Sequence, residues 1–238
     1  MSDDYRPDLA TAPSAAADRE RSLLRNVYLW MTGGLALTAV VALGVASSPA
    51  LIGAIVTSRL LFFGLIFGEL ALVWFLSARI AKLSPAAATA GFAAYAALNG
   101  ATLAIVLLAF TGASLATALF VTAGTFAGMS AYATVTRRDL AKVGTYLVYG
   151  LWGVILASLV NLFLKSPLVD WIVSYVGVAL FLGLTAYDTQ VIRRWSREAG
   201  DSLSEADYIR FSILGALKLY LDFVNLFLFF LRIFGRRK

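Results

Sequence analysis

The chain contains no cysteine and no histidine. Without cysteine there is no disulfide, no thiol nucleophile and no thiolate metal site. Without histidine there is no Ser-His or Cys-His catalysis, no imidazole metal ligand and none of the usual pH switch. Charge is scarce too. Only 14% of the 238 residues are Asp, Glu, Lys or Arg, against 60% hydrophobic residues, where soluble domains carry about 25% charged residues. A water-soluble fold of this size has too few interior positions to hide that much apolar surface. Proline is rare as well, with five residues in the whole chain. Long helices are therefore seldom interrupted.

The apolar residues fall into runs of about the 20 residues that one membrane crossing needs. Seven are predicted: Val27–Ala46, Leu60–Ala78, Ala86–Phe110, Ser114–Thr136, Gly144–Leu164, Val169–Gln190 and Phe211–Phe234. The fold class is an all-α membrane protein, a seven-transmembrane-helix bundle formed by residues 25–238. Residues 1–24 have no apolar core and read as a mobile cytoplasmic tail rather than a cleavable signal peptide. The connection from Arg193 to Arg210 is polar and carries both charge signs.

A formal net charge of +6 does not point to nucleic acid, because the basic residues sit in short clusters between apolar runs. Four arginines precede the first run, and four more lie in the Arg193–Arg210 connection. Three basic residues, Arg137, Arg138 and Lys142, follow the fourth run, while the intervening connections hold one or none apart from Arg79 and Lys82. This alternation predicts a cytoplasmic N-terminus. The C-terminal Arg232, Arg236, Arg237 and Lys238 break it. Either the seventh run spans against the rule or it re-enters; dominance of the early spans favours a true span. The pairs Gly64-xxx-Gly68 and Gly124-xxx-Gly128 are expected to pack helices internally.

Ionisable residues within membrane helices are costly and mark function. Glu69, Asp188, Lys218 and Asp222 qualify. Asp188 near the end of the sixth run and Asp222 within the seventh can occupy the same half of one bundle. Two carboxylates in a low-dielectric site cannot both ionise cheaply, so they would titrate as one unit, and their oxygens suit Ca²⁺. Other partners are open: Arg193 or water for Asp188, and Lys218, one helical turn away, for Asp222. Glu69 either lines a cavity or bonds a neighbouring helix. Asn99, Asn161 and Asn225 are expected as interhelical hydrogen-bonding residues. No phosphate loop, dinucleotide fingerprint or EF-hand loop is present, and no cofactor is expected.

At Gly183-Leu-Thr-Ala-Tyr-Asp188-Thr-Gln190 and at Gly215-Ala-Leu-Lys-Leu-Tyr-Leu-Asp222-Phe-Val-Asn-Leu-Phe-Leu228 the chain resembles the transmembrane Bax inhibitor motif family. Leu231-Arg-Ile-Phe-Gly235, Glu69-Leu-Ala-Leu72, Thr136-Arg-Arg-Asp-Leu140 and Ser158-Leu-Val-Asn161 resemble bacterial members. The resemblance implies a bundle with its last helix central, a multi-pass protein of the bacterial inner membrane and a pH-dependent calcium leak. It implies that Asp188 and Asp222 share a proton and control opening, with calcium as the transported ion and with Arg79, or failing it Lys82, as a latch to Asp188. Lys218 departs from the family pattern. An ammonium one turn from Asp222 favours its ionised form and repels calcium, so Lys218, Glu69 and Asn225 are candidate modulators. Two further readings compete with the leak. One is an interaction protein that modulates a membrane protease or another partner. The other is an intramembrane aspartyl protease, for which Tyr187-Asp188 matches half of the signature and Leu219-Tyr-Leu-Asp222 fails the other half. The leading expectation is therefore not an enzyme.

Overall fold

Every turn between helices but that before Ala141, where Leu140 stands at the cap, holds a small polar residue next to the helix that follows. The side chains of Ser48, Ser58, Ser84, Thr111 and Ser204 each accept a hydrogen bond from the backbone N–H three residues on. This satisfies amides that the first turn of a helix otherwise leaves bare. Proline follows Ser48, Ser84 and Ser166 directly, at the position where its fixed φ and missing N–H cost a helix least. The result, in a computed structural model that describes residues 12–199 and 204–238, is eight helices: α1 (Ala12–Ala46), α2 (Pro49–Thr57), α3 (Arg59–Arg79), α4 (Pro85–Ala109), α5 (Gly112–Val135), α6 (Ala141–Leu164), α7 (Pro167–Ala199) and α8 (Glu205–Phe234). All but the short α2 are long and apolar enough to cross a membrane.

α8 lies at the centre. It packs on α1, α4, α5 and α7, while α3 packs on α4 and α6 on α7 at the periphery. Its side chains are buried around most of its circumference, among them Leu217, Leu219, Tyr220, Asp222 and Leu226. α3 and α6 turn Trp74, Phe67, Tyr146, Trp152 and Phe163 outward, as helices facing lipid tails do. The seven expected crossings and the central last helix are present.

Three expectations change. Of the predicted tail, residues 1–11 lie outside the described residues, but from Ala12 onward the chain is already α1. The 35 residues of α1 make a rod of about 50 Å, longer than the hydrocarbon core, so a polar first turn or two can project beyond it. The predicted polar connection between the sixth and seventh crossings is mostly helix: α7 runs on to Ala199 and α8 starts at Glu205. The glycines at 64, 68, 124 and 128 pack against nothing. A side chain added at any of them would meet no atom within 4 Å. Close approach is made elsewhere. A Cβ on Gly100 would stand 2.6 Å from the backbone oxygen of Thr38, which is what lets α1 and α4 pack so extensively.

The two ends of the bundle are distinct. At one end Tyr208 bonds Ser22 and Asn26 of α1, and Arg210 donates to the Leu83 carbonyl at 2.6 Å. This end also holds the α5–α6 connection and the end of α7, and is the basic end of the bundle. At the other, the C-terminal residues pair with the α4–α5 turn: Thr111 N–H donates to the Arg236 carbonyl and Lys238 N–H to that of Ala109. α8 is an unbroken true span. Arg232, one of the residues that break the charge alternation, lies over the Phe229 ring and 3.9 Å from Asp170.

Two outcomes follow from this packing. A reporter fused after Lys238 should read the opposite side of the membrane from one inserted in the α7–α8 connection. Gly100→Ala should destabilise the detergent-solubilised protein by about 1–3 kcal/mol in thermal unfolding, the usual cost of overpacking, while Gly64→Ala and Gly124→Ala should stay within about 0.5 kcal/mol.

Candidate functional site

Lys218 and Asp222 are one turn apart on α8, which sets both on one face of the central helix. α7 crosses that face and brings Asp188 to it. Asp188 and Asp222 are 6% and 4% exposed, so both carboxylates are removed from bulk solvent. The Lys218 ammonium bonds Asp188 Oδ1 at 3.1 Å. Asp222 feels the charge of both Asp188 and Lys218, yet its Oδ2 is buried with no hydrogen-bond partner. The site is thus a compact cluster of two carboxylates and one ammonium. An isolated charge here would be expensive; each member depends on the others.

The cluster differs from the expected latch. Neither Arg79 nor Lys82 forms a salt bridge among the described residues, and both side chains are exposed at the end of α3 and in the 3₁₀ turn after it. The cation on Asp188 comes from α8 itself. Arg193, the other partner considered for Asp188, is also engaged elsewhere. It pairs with Glu20 of α1 and donates to the carbonyls of Ala133 and Thr134 at the end of α5, at 2.9 and 2.7 Å. Glu20 also accepts from Arg197 at 2.7 Å. Sequence reading placed Glu20 in a mobile tail and missed this clamp. The only signal was a glutamate set between two arginines, Arg19 and Arg21, ahead of the first apolar run.

A second polar system lies on another face of α8. Tyr220 donates to Asn99 Oδ1 at 3.1 Å, and its hydroxyl is 2.6 Å from that of Thr38. Thr38 in turn reaches the Ala96 carbonyl at 2.9 Å. The Asn99 amide donates to Glu69 Oε2 at 3.4 Å, and Thr102 donates to Oε1. One chain of hydrogen bonds therefore joins α1, α3, α4 and α8. Glu69 bonds the neighbouring helix α4, and Asn99 is interhelical as expected. Asn161 and Asn225 are not. Asn161 accepts from the Ser166 N–H to close the α6–α7 turn, and Asn225 donates to the Leu221 carbonyl of its own helix. Their side-chain amides are spent locally.

Tyr220→Phe should cost about 0.6–2 kcal/mol, because it strands Asn99 and Thr38 in an apolar interior. Asn225→Ala, which removes only a bond within one helix, should cost less. Denaturant unfolding of the two variants side by side reads the difference.

Known proteins resemble this chain along nearly its whole length. The model of the family described as inhibitor of apoptosis-promoting Bax1 matches residues 20–238. The inner membrane protein YbhL of Escherichia coli strain K12 is 46% identical over 98% of this chain and 98% of its own. A protein of Deinococcus radiodurans is 42% identical, with 96% of each chain covered, and one of Borreliella burgdorferi is 38% identical over 93% of this chain and 97% of its own. A match that begins at the clamped Glu20 and runs through both aspartate segments to the last residue leaves one assignment: the chain belongs to the Bax inhibitor family of membrane proteins.

Proposed function

We propose that this protein is a calcium leak of the inner membrane, opened and closed by protonation at the Asp188–Lys218–Asp222 cluster. The observation that carries the reading is a buried acidic pair on the central helix and its neighbour, held by a single ammonium. Carboxylate oxygens are the ligands Ca²⁺ prefers, and Asp222 has one oxygen left without a partner. The basic end faces the cytoplasm in this reading, because arginine and lysine concentrate there.

Lys218 supplies the latch that a base on α3 would otherwise provide. While Asp188 is ionised, the ammonium ties α8 to α7. When Asp188 takes a proton, the carboxyl loses its charge and the bridge weakens. Partly buried pairs of this kind can be broken without unfolding the bundle. The Lys218 side chain is 36% exposed, so its flexible stem has room to swing away. The same ammonium argues against an aspartyl protease, in which the two carboxylates must hold a water molecule between them.

Calcium flux into vesicles containing the purified protein, followed across neutral pH, tests the reading. Asp188→Asn and Asp222→Asn should flatten the pH dependence. Lys218→Ser should raise the flux about fivefold or more at a given pH. At about 4 Å a unit positive charge repels a divalent cation by about 2 kcal/mol even with the dielectric of water, so relief of half of it suffices. Unchanged pH profiles in both aspartate variants would remove the cluster from the mechanism and leave the interaction-protein reading ahead.

A further inference from the structure

α1 and α5 both pack on α8 but barely touch each other. Between them runs an open crevice. Towards the basic end it is a cavity of about 380 Å³ lined by Tyr28, Met31, Thr32, Phe126, Ser130 and Thr134, among others. Beyond Thr32 it continues as a groove of about 480 Å³, almost wholly apolar, that reaches Leu43 on α1 and Leu115 on α5 and has Phe223 and Phe227 of α8 in its wall. From Tyr28 to Leu43 the crevice follows α1 for about 22 Å, more than the depth of one leaflet.

Two hydroxyls in this apolar crevice have no partner. The oxygens of Tyr28 and Ser130 are both buried and both lack a hydrogen bond among the described residues, and Ser130 is 7% exposed. Buried hydroxyls are almost always satisfied. Both residues line the cavity, so a small movement of either side chain offers an unsatisfied hydroxyl to a polar group bound there.

The crevice adjoins a basic pocket. Arg193, whose guanidinium donates to the Thr134 carbonyl, also lines a cavity of about 300 Å³ with Arg137, Arg138, Arg194 and Arg197. Five guanidiniums are met there by two carboxylates. Asp139 takes Arg194 and Glu20 takes Arg193 and Arg197, while Arg137 and Arg138 form no ion pair among the described residues. The pocket is held in shape by Gln190, which accepts from the Leu140 N–H and donates to the Arg138 carbonyl, both at 3.0 Å.

Along the crevice, then, come unmatched guanidiniums, then orphan hydroxyls about one turn deeper, then a long apolar groove. We propose that this crevice is a binding site for an anionic phospholipid of the basic-end leaflet. The phosphate lies on Arg137 and Arg138, the ester carbonyls accept hydrogen bonds from Tyr28 and Ser130, and one acyl chain follows the groove to Leu43. The lipid thereby touches α8 through Phe223 and Phe227, next to Asp222. The polar order matches a phospholipid from head to tail, and a soluble phosphate would use only its first part. Juxtamembrane arginines favour anionic over zwitterionic headgroups.

Native mass spectrometry of the delipidated full-length protein, titrated with phosphatidylglycerol or with phosphatidylcholine of the same chains, tests this. Phosphatidylglycerol should bind about tenfold or more tightly than phosphatidylcholine. The double variant Arg137→Gln/Arg138→Gln, at exposed positions, should weaken phosphatidylglycerol binding roughly thirty-fold. Arg236→Gln/Arg237→Gln, the same charge change at the opposite end, should leave it unaltered. Ala127→Trp, which fills the crevice from an exposed position, should weaken both lipids. Thermal unfolding without lipid checks that each variant is folded. Equal binding of the two lipids by the wild type, equal losses from the two double variants, or undiminished phosphatidylglycerol binding by Ala127→Trp would each overturn the proposal.

Discussion

Hydrocarbon offers no hydrogen bonds, so a polar group carried on a central transmembrane helix is costly unless the protein around it provides a partner. α8 carries an unusual number: Lys218, Tyr220, Asp222 and Asn225 fall within eight residues. The packing of the bundle follows from this constraint. α7 brings Asp188 to the Lys218 face. α1 and α4 bring Thr38 and Asn99 to Tyr220, and α4 passes the connection outward to Glu69 on α3. α6 has no polar group to deliver to α8 and stays at the periphery behind α7.

How much of this was legible in the sequence depends on whether a feature is local or relational. Crossings are local. A run of apolar residues closed by Ser-Pro announces itself, and the spans were read nearly to their ends. The exceptions are informative. α2 was missed because nine residues are too short to cross a bilayer, so it read as a connection. The start of α1, the end of α7 and the start of α8 were cut short because charged residues stop a hydropathy reading while leaving a helix intact. The two aspartates stand out in one dimension, since a carboxylate within an apolar run is conspicuous, and both are buried in the bundle.

Partners are relational, and there the sequence misled. Lys218 stands four residues from Asp222 and suggested an ion pair along α8, yet it bridges to Asp188 on α7. Spacing on one helix shows which residues share a face; it does not show what the opposite helix presents to that face. Helix rotation decides this, and it is set by the packing of glycines such as Gly100, whose contact with Thr38 has no signature distinguishing it from the lipid-facing Gly64 or Gly124. Arg79 failed as a latch for the same reason. Matching depth in the membrane is necessary for contact but does not fix direction around the helix axis.

The two polar systems on α8 are not independent. Tyr220 and Asp222 are two residues apart, about 200° around the helix, so they point to opposite sides of one rigid rod. A rotation or slide of α8 that separates Lys218 from Asp188 therefore also pulls Tyr220 away from Thr38 and Asn99. Because the hydroxyl would then be bare in hydrocarbon, the Tyr220 side resists displacement of α8. Glu69 lies at the far end of that chain, on a peripheral helix that otherwise packs only on its neighbours. The Asp188 cluster and this carboxylate on the opposite side of the bundle are thus joined through α8 and Asn99.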